Sequence, residues 1–322
     1  MKISLPNSAW IQNVGGFLSK FDPSNPDTLA IELHDRWVSV HPSILALTAC
    51  AGLLVRHRGG TISGEVPQIR SLPYLIRMGL FDYLDIDPGK KIAEHEAAGR
   101  FVPLTNIRNN EDLRTAITDL VPLLHAPPEV AAPIKYVFSE MVRNALEHSG
   151  SPVGAVVCAQ YFKSSNRISI GIADAGRGIL KSMRQHHSVS GSEDSIGLAL
   201  RPGITGVTAK IGGNEFNAGA GLFFTKSIAA LSKNFFLLYS GDAAFKLLRT
   251  PKGEATVLNV VPQDDHHRFL TALPQWTGTM VGIDINVEDG RSFSELLDEI
   301  RQAYSIDVKA QRKEYYKKAR FV

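Results

Sequence analysis

Apolar residues recur along this chain in short clusters, some at the spacing of a strand and some at the spacing of a helix. Leu29 to Leu33 forms a brief strand-like run. After His41-Pro-Ser43 an apolar helical stretch reaches about Arg56, and Gly59-Gly60 breaks it. Thr61 to Val66 predicts a returning strand and Ser71 to Leu84 a helix, which makes an alternating α/β unit of residues 1–100. Asp87-Pro-Gly89 and the charged run Lys90 to Arg100 mark its exit. Asn110 to Leu124 predicts a further helix. Pro133 suits the first position of the next one, Pro133 to Ser149, where its missing N–H costs nothing. Gly154 to Phe162 and Arg167 to Ala173 read as a hairpin joined at Lys163-Ser-Ser-Asn166. In its second strand Ile168, Ile170 and Ile172 alternate with Ser169, Gly171 and Ala173. One face is therefore apolar and the other small, with room for a ligand or a close helix.

Leu180 to Asn217 is long, polar and rich in Gly, Ser and His, with a short helix expected at Ser195 to Leu200. Loops of this length inside compact domains serve mostly as functional lids or are disordered. Gly221 to Ser232 predicts a helix, and Phe235 to Tyr239, Ala244 to Thr250 and Glu254 to Val261 predict successive antiparallel strands. Met280 to Ile285 and Ser292 to Ala303 add one more strand and helix.

Composition narrows the class without changing this pattern. The chain has 322 residues, 44% hydrophobic and 21% charged, which fits about two packed domains rather than wholesale disorder. Its net charge of +3 is too small to argue for nucleic acid by itself. Ile44 to Val55 is the most apolar stretch, but a membrane span needs about 20 such residues, so a buried helix and no membrane partner are expected. Met1 to Gly15 lacks the basic start and apolar run of a secretory signal, and a cytoplasmic location is the expectation. Cys50 and Cys158 provide neither a disulfide framework nor a metal motif and read as core residues. His186-His187 and His266-His267 read as polar loop residues.

Three stretches carry chemistry together: Glu140-Met-Val-Arg-Asn144, Asp174-Ala-Gly-Arg-Gly178 and Gly219-Ala-Gly221-Leu222. On a helix of about 3.6 residues per turn, Ile134, Phe138, Met141 and Ala145 form an apolar face, with Glu140, Asn144, Glu147 and His148 along its border. Asn144 offers a neutral oxygen to a hard cation such as Mg²⁺, and Glu140 can take a proton from water. An ordinary solvated row with an i,i+4 contact is the alternative. Asp174 ends a strand and can accept a hydrogen bond from an amine, while Gly176 and Gly178 permit positive φ and close approach of a flat ligand. A simple Asp-x-Gly turn would look the same. Gly219-Ala-Gly221 opens a helix, whose free N–H groups favour an anion such as a triphosphate, with a glycine-rich helix start that holds no ligand as the alternative.

In this order the set resembles the N, G1 and G2 boxes of the GHKL superfamily, which includes gyrase, mismatch-repair ATPases, histidine kinases and anti-sigma-factor serine kinases. The resemblance spans about Asn110 to Val261. It implies an α+β fold in which helices cover a mixed, mostly antiparallel sheet, with ATP and Mg²⁺ held between the helices and a lid at 180–218. Glu140 is then the general base, Asn144 the Mg²⁺ ligand and Asp174 the acid that reads the adenine amino group. Gly176 and Gly178 border the base, Gly219, Gly221 and Leu222 border the phosphates, and Thr256, on the last expected strand, supports the adenine-binding acid. The expected domains are 1–100, 101–262 and a C-terminal strand-helix segment with a basic tail, 263–322.

The first unit, and with less specificity Met280 to Tyr304, resembles STAS-like modules, which anti-sigma-factor kinases phosphorylate on a serine at a helix start. Ser43 lies in such a place, although Ser is also a preferred N-cap. No phosphoacceptor His-Glu helix precedes Glu140, which sets the chain apart from sensor histidine kinases. A nucleotide-controlled ATPase switch with a protein partner is the first expectation. A protein serine kinase and a binding module with negligible turnover are the alternatives, and a homodimer stays open. The basic and aromatic residues of Lys309 to Val322 can grip nucleic acid, but a solvated terminal helix is the expected reading.

Overall fold

The computed structural model describes residues 1–90, 101–120, 128–212, 219–251, 253–286 and 292–318. The fold is α+β. Its N-terminal unit holds β1 (Lys2–Leu5), β2 (Ser8–Ala9), α1 (Gly15–Leu18), β3 (Thr28–Leu33), β4 (Ser39–Val40), α2 (Pro42–His57), β5 (Thr61–Gly64), α3 (Leu72–Arg77) and α4 (Leu80–Leu84). β1, β3 and β5 pair in parallel in that order, and β2 pairs with β4. The helix expected over Ser71–Leu84 is split, because Gly79 takes a left-handed φ of 73° between α3 and α4.

The remaining elements are β6 (Phe101–Ile107), α5 (Asn110–Thr115), α6 (Pro128–Asn144), β7 (Ala155–Phe162), β8 (Arg167–Asp174), α7 (Gly178–Met183), α8 (Ser192–Ala199), α9 (Gly221–Leu231), β9 (Phe236–Gly241), β10 (Ala243–Leu247), β11 (His267–Leu270), β12 (Trp276–Asn286) and α10 (Phe293–Lys318). π-helical turns continue α5 over Ala116–Leu120 and α6 over Ala145–Ser149. Residues 121–124 of the helix expected after Asn110 lie outside the described residues.

One seven-stranded sheet in the order β11-β10-β9-β12-β8-β7-β6 organises the molecule. Every pairing within it among the described residues is antiparallel, where a mixed, mostly antiparallel sheet was expected. Strand alternation gives the sheet two buried faces. Val157, Ile168, Ile170, Ile172, Val281 and Ile283 join Phe138, Met141, Phe223 and Ile228 of the helices in one core. Val156, Cys158, Ala173, Leu237 and Met280 face the other way, into the core of the N-terminal unit. The small-residue face of β8 is thus taken by α2: a Cβ on Gly171 would lie 2.1 Å from the Pro42 carbonyl carbon.

Several expectations fail for identifiable reasons. α6 starts at Pro128, so Pro133 lies inside the helix and forfeits one backbone bond near its start, while Ile134, Val137 and Phe138 bury its apolar face. Glu254–Val261 is not a strand. Leu258 and Val260 pack on the helical core, the fully buried Lys226 ammonium donates to the Asn259 carbonyl at 2.9 Å, and it pairs with Asp265. That segment crosses towards α9, and β11 takes the place beside β10. The C-terminal segment expected as an extension supplies the middle of the sheet, because β12 starts at Trp276 and pairs with both β8 and β9. The N-cap of α2 is His41, whose ring accepts the Ser43 N–H at 3.1 Å; Ser43 sits in the first turn.

Candidate functional site

The three motifs converge on one cavity of about 360 Å³ on the helical side of the sheet. α6 brings Glu140 and Asn144, the end of β8 brings Asp174, the start of α7 brings Gly178, and the start of α9 brings Gly219, Gly221 and Leu222. Ile172, Ile179, Met183 and Val281 add apolar walls. Glu140 and Asn144 share a border of α6 because its other positions, Ile134, Val137, Phe138 and Met141, are drawn into the core.

Asp174 forms the buried end. Gly176 N–H donates to its Oδ1 at 2.8 Å, and the Trp276 indole N–H donates to its carbonyl at 3.1 Å. Burial pushes the Asp174 carboxyl up to about 7, while hydrogen bonds from Gly176, Ser149 and the Thr279 backbone act against that rise. Gly178 has φ 72° and lines the cavity. Gly176 does not line it. A Cβ there would lie 2.4 Å from the Ser149 carbonyl oxygen, so this glycine lets the turn after β8 close on the end of α6.

Thr256 does not reach this site either. It lies in the irregular segment before β11, and the threonine at the Asp174 end of the cavity is Thr279, directly opposite Asp174 in the β12–β8 register. Gly278 precedes it, and a Cβ there would sit 1.9 Å from the Asp174 carbonyl oxygen. The alternating run Met280 to Ile285 predicts only the inner part of this strand, whereas β12 begins at Trp276 and so includes the Gly278-Thr279 pair.

At the other end, the first turn of α9 abuts α6. A Cβ on Gly221 would lie 3.0 Å from the Asn144 amide nitrogen and 3.1 Å from a Glu140 carboxylate oxygen. A helix start leaves its first N–H groups without intrahelical partners, which makes the place beside these two side chains suited to an anion. Burial raises the Glu140 pKa, opposed by the Arg143 charge, with Arg143 3.7 Å away. Tyr136, Arg143 and His148 also line the cavity and were not among the expected site residues. Among the described residues, no group of three or more His, Cys, Asp or Glu side chains could hold a metal. Asn144 brings one neutral side-chain oxygen to the cavity, a single donor of the kind a hard cation takes.

The segment after α8 lines the cavity with Ile204, Thr205 and Gly206. His187, expected as a polar loop residue, bonds the Thr205 carbonyl at 2.8 Å. His267 lies in β11, stacked on Phe245 at 5.2 Å. Residues 213–218 of the expected lid lie outside the described residues.

A second polar group sits behind the sheet. Because the Ser43 N–H donates to His41 Nδ1, Nε2 carries the ring proton and donates to Asp284 Oδ1 at 3.3 Å. Although burial acts to raise it, the Asp284 pKa is lowered by His41, by the Arg167 charge and by the Ser169 hydroxyl. Ser43, His41 and Asp284 have the order of a nucleophilic triad, but all three are 0% exposed. Their place is structural, locking α2 to β8 and β12.

No protein-family model matches the chain, and no curated protein matches it. Among the described residues no helix is long and apolar enough to cross a membrane. Cys50 and Cys158 are buried free thiols.

Proposed function

We propose that the cavity binds ATP with Mg²⁺ and that the protein is a GHKL-type ATPase, a nucleotide-controlled switch acting on a protein partner. The observation that carries this reading is the polarity of the cavity. One end is a buried carboxylate beside apolar walls, suited to an amino-bearing base. The other is a helix start flanked by Glu140 and Asn144, suited to phosphates. A volume of about 360 Å³ lies within the usual range of about 300–1,000 Å³ for small-molecule pockets.

Asp174 accepts from the exocyclic amine of the base, and the first turn of α9 holds the phosphates. Mg²⁺, held by Asn144 and phosphate oxygens, supplies charge neutralisation. Glu140 takes a proton from water as the water oxygen bonds to the γ-phosphorus and the bond to the β-γ bridging oxygen breaks. Its raised pKa suits a base that must gain a proton during reaction.

Glu140→Gln is expected to keep ATP binding and to lower phosphate release by about 10²-fold or more. Equal turnover in variant and parent removes Glu140 from the role of base. Transfer to the protein's own Ser43 is disfavoured, since that hydroxyl is fully buried on the far side of the sheet. A kinase acting on a separate partner would instead leave label on that partner's serine.

A further inference from the structure

We propose that Val308, Gln311 and Arg312 of α10 are positioning residues that hold the 203–212 loop over the cavity, so that the C-terminal helix sets how long a ligand stays. The effect on a ligand rests on the nucleotide reading; the loop contact does not.

The loop is built on glycines that let backbones meet. Gly203, Gly212 and Gly219 have φ of 72°, 81° and 66°. Gly203 N–H donates to the Gly219 carbonyl at 3.2 Å, and Gly212 N–H donates to the Gly203 carbonyl at 2.8 Å. The two ends of the loop are thereby tied to each other, and its first end is tied to Gly219, just ahead of α9. Between those ends Ile204, Thr205 and Gly206 face the cavity.

α10 closes the outer side of the same knot. Arg312 Nε donates to the Ile211 carbonyl at 2.9 Å, and Gln311 Nε2 donates to the Pro202 carbonyl at 3.2 Å. A Cβ on Gly212 would lie 2.3 Å from the Arg312 guanidinium, and one on Gly203 would lie 2.7 Å from Val308. The helix is fixed at its other end, where Leu297 and Ile300 are buried and Tyr304 packs on Phe223 and Phe224 of α9. α10 therefore bridges α9 and the 203–212 loop. Arg312 is as exposed as Lys309 and Lys313, and it differs from them in its bond to the Ile211 carbonyl.

The test compares Arg312→Ala and Gly212→Ala with the parent. Hydrogen exchange of the 203–212 amides in nucleotide-free protein reads the contact, and dissociation of a fluorescent ATP analogue with Mg²⁺ reads its consequence. Both rates are expected to rise about tenfold, the loss of one charge-assisted hydrogen bond, with exchange in α9 unchanged. Unchanged exchange at 203–212 in both variants overturns the proposal, as does freer exchange with unaltered nucleotide release. A parent that binds no nucleotide, while both variants still free the loop, supports the contact and refutes the nucleotide reading.

Discussion

Asp174 is a carboxylate held where water is scarce, and its protonation is the most accessible physical signature of the site. Its folded-state pKa of about 7 lies above the ordinary 3.8. A raised acid favours the folded state fully below the unfolded pKa, and that contribution is lost as pH rises through the folded one. In ligand-free protein the stability difference between Asp174→Asn and the parent should therefore move in favour of the variant from about pH 4 to 7 and level off above, as read by urea unfolding at each pH. A pH-independent difference would place Asp174 in a solvated setting instead. Asp284 has the opposite sign, since its lowered pKa gives stability that is lost as pH falls below the unfolded value.

At the scale of elements, the decisive contact is α2 against the small face of β8 and β12. Gly171 and Gly282 let the first turn of α2 lie on the sheet, with Ser43 and His41 against Gly282. Gly171→Val should cost on the order of 3 kcal/mol, because the added atoms meet the Pro42 backbone rather than a side chain that can turn away. A shift below about 1 kcal/mol in urea unfolding would contradict this packing.

The alternation of Ile168, Ile170 and Ile172 with Ser169, Gly171 and Ala173 made that face legible in the sequence, since period-two patterning is a local property. What was not legible came from long-range competition. Glu254 to Val261 has strand-like residues, yet Lys226 and the helical core draw it away from the sheet edge. Thr256 consequently lost its place to Thr279, whose position depends on pairing across to Asp174, more than a hundred residues earlier. Glu140, Asn144, Asp174 and Gly221 were readable because each is set by a local element boundary: a helix border, a strand end and a helix start.

Across the whole molecule, one antiparallel sheet separates two environments. The N-terminal unit covers one face, joined to it by the buried His41–Asp284 pair, and the helices and the 203–212 loop cover the other around the cavity. β12 and α10 tie the chain's last segment into both the sheet and the roof, so the C-terminal segment is integral to the site rather than an appendage. The central claim is that this cavity takes an amino-bearing nucleotide with its base at Asp174 and its phosphates at α9. Calorimetric titration of ATP with Mg²⁺ into the parent and Asp174→Asn tests it most directly. The parent should saturate at one equivalent and the variant should bind about tenfold or more weakly. Absence of binding in the parent, or equal affinity in the two proteins, would contradict the account.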